Sequence, residues 1–346
     1  MKVRAFDHGA SGALRSRLKL ASAALTALAL AWTAGPAHAL TYTFQNIIDP
    51  VNPTFTQALG INDTGTIVGY GNMTIFNGFQ LSLPANFTRL NVPGADGGTQ
   101  VFGITANGVT TDGFSITGGV TNGFVAQNGT SFTTVDQPGT AFNQLLGLNA
   151  SGTTAAGYSS TDPAGMMNQH ALTVSGGPSF TSPTFTDINA LLPANFNSQA
   201  TGVNNSGEVV GFYQYDAAGD FSAFMDVAGT ITSFQFPGSL SSQALGVNNL
   251  GEIVGDYLDA GGVMHGFLDD LGAFTSLDPA GSTATTINGI NDQGTVVGFF
   301  VDADGNTIGT VGTPVPEPAS MLLLGTGLLG VGLLRRQRHQ ASRHPV

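Results

Sequence analysis

Carboxylates are the side chains with which this chain of 346 residues could do chemistry. Residues 40–313 hold 20 of its 22 Asp and Glu and a single base, Arg89; their histidines are His170 and His265, and the chain has no Cys. Two carboxylates flanking a glycosidic bond are the usual apparatus of glycoside hydrolysis, so an extracellular carbohydrate-active enzyme, hydrolase or lyase, is one reading. Glu208 and Glu252 are its first candidates, yet they hold the same place in two copies of a repeated segment. His170 and His265 also share one repeat slot, which keeps them from converging on one substrate. Neither a G-x-S-x-G elbow nor an H-E-x-x-H pair is written anywhere. Asp302, Asp304 and Asn306 in DADGN open like a calcium loop, with oxygen ligands at alternate positions. The same loop position reads DPAG at 162–165, DAAG at 216–219 and DAGG at 259–262, and no downstream Glu completes the pattern. A hairpin turn with at most loosely associated Ca²⁺ is therefore expected, together with no catalytic residue, no cofactor and no resident metal. Tyr70, Tyr158, Tyr213 and Tyr257 are expected as exposed rings on which sugars could stack.

The elements that would position these residues come from the repeat. GINDQGTVVGFF at 289–300 has near-copies starting at Gly60, Gly202 and Gly246, and looser ones at Gly103 and Gly147. The intervals between these glycines are 43, 44, 55, 44 and 43 residues, a period of about 44 with one 11-residue insertion in the third unit. That length suits four short strands with tight turns, and the absence of a 3.6-residue apolar pattern excludes helical solenoids. In the fifth unit the strands read 244–248, 252–259, 264–270 and 273–279, an antiparallel meander. The expected fold is all-β: a six-bladed β-propeller of four-stranded antiparallel blades. The recurring Gly65, Gly108, Gly152, Gly207, Gly251 and Gly294 fit a first turn with positive φ. Asn62, Asn149, Asn204, Asn248 and Asn291, with Thr105 in the second copy, fit side chains that bond their own turn. One extra residue before Gly113 and before Gly157 predicts bulges in the second and third blades. The third-strand core, a polar residue followed by Gly or Ala and then Phe or Leu (NGF at 77–79, SAF at 222–224, HGF at 265–267), resembles the HAF repeat, a family of extracellular repeats. That resemblance covers nearly all of 40–313 and implies an exported scaffold with no stated activity.

The sixth unit has only three strands before a Pro-rich linker. The segment 42–50 aligns with a fourth strand, so residues 41–49 are expected to pair with 307–312 and close the ring. Closure without a disulfide is what a chain without cysteine requires. With 20 acids and one base, 40–313 carries a net charge of −19, which repels nucleic acid.

Both ends carry addresses. Residues 1–39 combine a basic start ending at Lys19, an apolar run at 20–32 and the small residues Ala37 and Ala39, the pattern of a signal peptide cut by signal peptidase. Residues 314–346 hold Val315, Pro316, Glu317 and Pro318, an apolar run of 16 residues from Ala319 to Leu334, and Arg335, Arg336 and Arg338. As a C-terminal apolar helix that run would be about 24 Å long, short for a span, with the arginines snorkelling on the cytoplasmic side. This order resembles the PEP-CTERM sorting signal of Gram-negative bacteria. The resemblance implies a transient inner-membrane anchor, processing by an exosortase, and residence at the outer cell surface or in an exopolysaccharide biofilm matrix, with extracellular polysaccharide or other surface proteins as partners.

Overall fold

A computed structural model describes residues 41–315, apart from 85, 178, 194 and 195. Ala37 and Ala39, the sorting residues from Pro316 to Arg338 and the expected C-terminal helix lie outside the described residues. Among the described residues no helix is long and apolar enough to cross a membrane.

The strands form six four-stranded antiparallel sheets, the blades of a six-bladed propeller. In blades 1 to 5, whose first strands begin at Thr56, Gly98, Phe142, Ser198 and Ser241, the strands follow chain order. Blade 6 is composite. Ala284–Ile290, Val296–Val301 and Thr307–Val315 supply three strands, and the N-terminal Thr41–Ile47 supplies the fourth. The pairing runs from Thr41 opposite Val315 to Ile47 opposite Gly309, three residues further toward the C-terminus than the sequence predicts.

Apolar residues on the two faces of each blade meet those of its neighbours in six clusters, one at each blade junction. The third-strand motif supplies the largest of these side chains: Phe79, Phe124, Phe224 and Phe267 are all at most 2% exposed. Each contributes about 1.5–3 kcal/mol relative to an exposed ring. At the closing junction Ile47 packs with Ala58, Ile67, Phe79, Leu81, Val297 and Val311, so the N-terminal strand serves the core as well as the sheet edge.

The bulges differ from expectation. Every blade has one in its first strand, beside the first Gly of the repeat, for example between Ala58 and Gly60. A bulge sharpens the local twist, and here six strands must crowd around one axis. A Cβ on Gly60 would lie 2.0 Å from the Phe102 carbonyl oxygen, so this close approach admits only glycine. The extra residues of blades 2 and 3 enter the first turn instead. Their turns close from Thr105 to Thr110 and from Asn149 to Thr154, five residues apart, where Asn62 reaches Thr66 in four. The insertion in the third unit is likewise spread over several connections. Part of it buries Phe180 completely against Leu145, Leu172 and Val174.

Candidate functional site: the axial cavity

Antiparallel meanders around an axis divide their loops between two faces. The turns joining first to second strands gather on one face, where the channel is narrow; the loops between blades and between second and third strands gather on the other. On the narrow face the repeated Asn side chains do two jobs. The Oδ1 of Asn248 accepts from the backbone N–H groups of Leu250 and Glu252, 3.0 Å each, as the sequence predicts. Its Nδ2 donates to the Asn291 carbonyl in the next blade at 3.0 Å, and Asn291 donates in turn to Asn62 at 3.1 Å. Asn204 donates to Asn248 and Asn62 to Thr105 in the same way. The circuit stops at blades 2 and 3, where the longer turn redirects Asn149 Nδ2 to Thr153 Oγ1. All six turn glycines have positive φ. Glu208 and Glu252 each accept from their own blade's Asn at 2.5 Å, which places them on separate turns of this structural ring.

Along the axis the channel narrows to cavities of about 60–70 Å³ at the rings of repeat glycines and asparagines. Toward the other face it widens to a cavity of about 340 Å³. Three tiers line it. Gln57, Gln100, Gln144, Gln199, Gln243 and Thr286 are the residues three before each repeat glycine. Leu59, Phe102, Leu146, Thr201, Leu245 and Asn288 are the bulged residues. The third tier comes from second strands and comprises Phe114, Tyr158, Phe212, Asp256 and Phe299.

Asp256 is the one acid among the described lining residues. It is 6% exposed, accepts from Thr286 Oγ1 at 3.2 Å, and burial pushes its carboxyl up to about 7. Nearby Asn288 Oδ1 is buried with no hydrogen-bond partner.

The other candidates scatter. His265 lies outside the axis, with Nδ1 2.9 Å from Asp278 and Nε2 3.5 Å from Asp259. Partial burial opposes its charge, but these carboxylates outweigh it and raise its pKa. His170 is exposed in another blade. Asp302 Oδ1 accepts from the N–H groups of Asp304 and Asn306, and its Oδ2 from Asn306 Nδ2, so the DADGN segment is a self-bonded turn. Asp162, Asp216 and Asp259 bond their loops alike. Among the described residues no three His, Asp or Glu side chains gather to hold a metal. The tyrosines correct the expectation: Tyr70, Tyr158, Tyr213 and Tyr257 are at most 9% exposed, Tyr70 packed against Phe55 and Phe76, Tyr158 against Phe142, Tyr213 in the junction with blade 3 and Tyr257 on Phe236 of blade 4. Of the four, Tyr158 reaches the cavity.

No curated protein matches the chain. Among solved structures it resembles TolB from Acinetobacter baumannii, at 9% identity and a TM-score of 0.46, over 75% of this chain and 64% of that one. AofleA from Arthrobotrys oligospora gives 13% identity and a TM-score of 0.44 over 79% of this chain and 84% of that one. A variant of Aleuria aurantia lectin in complex with Fucalpha1-6GlcNAc gives 10% identity and 0.44 over 76% and 96%. A family model does match the end of the chain: residues 314–337, from Pro314 through Val315, Pro316, Glu317 and Pro318 to Arg336 and one residue beyond, match the PEP-CTERM protein-sorting motif, the mark of an exosortase-sorted, exported protein.

Proposed function

We propose that this protein is a non-catalytic surface or matrix protein whose propeller presents its axial cavity to extracellular polysaccharide. The carrying observation is the face on which the closing strand pair begins and ends. Thr41 pairs with Val315 on the narrow face, beside the first turn of blade 6, where Tyr42 Oη donates to the Gly294 carbonyl at 3.0 Å. Val315 already belongs to the sorting motif, so a tail anchored in the inner membrane would hold that face toward the bilayer. The wide mouth of the cavity then faces away from it. Signal peptidase and an exosortase process the two ends, and cutting the tail releases or attaches the same outward-facing ring. A glycan array with the full chain, run with and without Ca²⁺, tests this. Binding to polysaccharide fragments is expected; an array without any signal overturns the polysaccharide role.

A carbohydrate-active hydrolase or lyase on the same ring is the second reading, and Asp256 is the observation that favours it. A buried carboxyl held near neutrality is what a general acid needs. Glycoside hydrolysis ordinarily takes a second carboxylate about 5–10 Å away, whereas Asp256 is the one carboxylate among the described lining residues, so this reading needs an acid from outside them. Release of new reducing ends from array-positive polysaccharides would establish this reading.

A further inference from the structure

The sixfold pattern of the axial cavity fails at one junction. The second-strand tier is aromatic at Phe114, Tyr158, Phe212 and Phe299 but becomes Asp256 in blade 5. In the first strand of blade 6 the amide tier becomes Thr286, and the bulge tier, apolar in four of the other five blades, becomes Asn288. The fifth, Thr201, satisfies itself by donating to the Ala244 carbonyl at 2.7 Å. The three departures border one notch: Thr286 Oγ1 donates a hydrogen bond to Asp256 Oδ2 at 3.2 Å, and Asn288, two residues along the same strand as Thr286, lines the same cavity. What the notch then offers is acceptors: the Asp256 carboxylate and the Asn288 Oδ1, which is buried without a partner. Among the described residues the cations are engaged elsewhere, His265 with Asp259 and Asp278. Arg89, the one Lys or Arg in 40–313, is held by Asp49.

We propose that the axial cavity binds a protonated amino sugar, its ammonium seated in the notch of Asp256 and Asn288 and its hydroxyls and ring face held by the surrounding Gln amides and aromatic rings. This deepens the glycan-binding reading and rests on it. An ammonium brings three N–H donors and a positive charge, which acceptors in a water-poor site favour strongly. Aromatic faces add cation–π attraction. The five Gln amides carry both donors and acceptors, which suits a ligand rich in hydroxyls. The cavity's 340 Å³ lies within the range of small-ligand sites, and the domain's negative charge concentrates cations near its mouth. A bound cation would draw the Asp256 carboxyl back below the value of about 7 to which burial lifts it.

Calorimetric titration of the full chain with glucosamine, N-acetylglucosamine, glucose and propylamine tests the assignment. Glucosamine should bind about tenfold or more tightly than the other three. D256N should abolish that preference while its melting temperature stays at or above the parent's; N288L should weaken glucosamine binding without touching the carboxylate. Equal affinity for N-acetylglucosamine or glucose overturns the ammonium, and equal affinity for propylamine overturns the sugar. A preference that survives D256N overturns the site. If the glycan array is positive and unchanged by D256N, the scaffold reading stands and this inference fails; an array negative throughout removes the reading itself.

Discussion

Arg89 grips Asp49 with both ends of its guanidinium, Nη1 at 2.7 Å from Oδ2 and Nη2 at 2.5 Å from Oδ1. Asp49 follows the closing strand and is fully buried, while Arg89 ends the fourth strand of blade 1, so the pair ties the closure to its neighbour. Burial alone would raise the Asp49 carboxyl, but the Arg89 hydrogen bonds, with those from Val51 and Asn52, hold it below the ordinary carboxylate range. The pair's contribution is therefore present above that range and lost as pH falls through the lowered value. R89M should cost a few kcal/mol at pH 7, because it leaves a buried charge alone. In thermal melts its penalty should shrink at pH 3; an equal penalty at both values would contradict the pairing.

Closure predicts a larger effect. Removing residues 40–50 strips the fourth strand from blade 6 and uncovers Ile67, Phe79 and Leu81 at its junction with blade 1. The truncated chain should melt well below the parent and aggregate through its bare edge. Melting within a degree or two of the parent would contradict closure by the N-terminal strand.

The asparagine circuit predicts a ranking. Asn248 caps its turn and bridges to Asn291, whereas Asn149 caps its turn but spends Nδ2 within its own blade. N248A should be the more destabilising by about 1 kcal/mol, the worth of one hydrogen bond. Denaturant titrations of the two variants measure it, and equal losses would refute the circuit's contribution.

Asp112 sets a pH dependence of stability. It stands where blades 1, 4, 5 and 6 have Val68, Val210, Val254 and Val297, is wholly buried, and has one oxygen unpartnered. Burial pushes its carboxyl up to about 7 against the hydrogen bonds from the Gly103 and Gly147 backbone. A carboxyl raised on folding stabilises fully below its unfolded value and loses that contribution as pH rises through the folded one. D112N should thus be near neutral at pH 4 and stabilise by up to about 4 kcal/mol at pH 8. A difference independent of pH would show that Asp112 does not titrate in this window.

What the sequence made legible is what repeats. Gly251 and its equivalents announce a turn, Phe267 and its equivalents a buried third strand, and the missing fourth strand of the last unit points to the N-terminus. The amide tier was equally readable, since Gln57, Gln100, Gln144, Gln199 and Gln243 precede the repeat glycines at constant spacing. Its meaning was hidden, because nothing local says which residues of a strand face the axis. The same ignorance made Tyr213 and Tyr257 look exposed, although the adjoining blade covers them. The second bond of Asn62, Asn204, Asn248 and Asn291 was out of reach for a related reason: its acceptor lies 43 or 44 residues away, or 229 at the closure. The Asp256 notch became visible only once blades 5 and 6 were neighbours.

The direct test of an exported, tail-sorted ring is the intact mass of the protein recovered from its host's envelope and medium, with and without the exosortase. A mature chain that starts at Leu40 and ends within a few residues of Pro318 is expected, and one that keeps its tail when the exosortase is deleted. Extracellular protein that runs to Val346 in the wild-type host would contradict it.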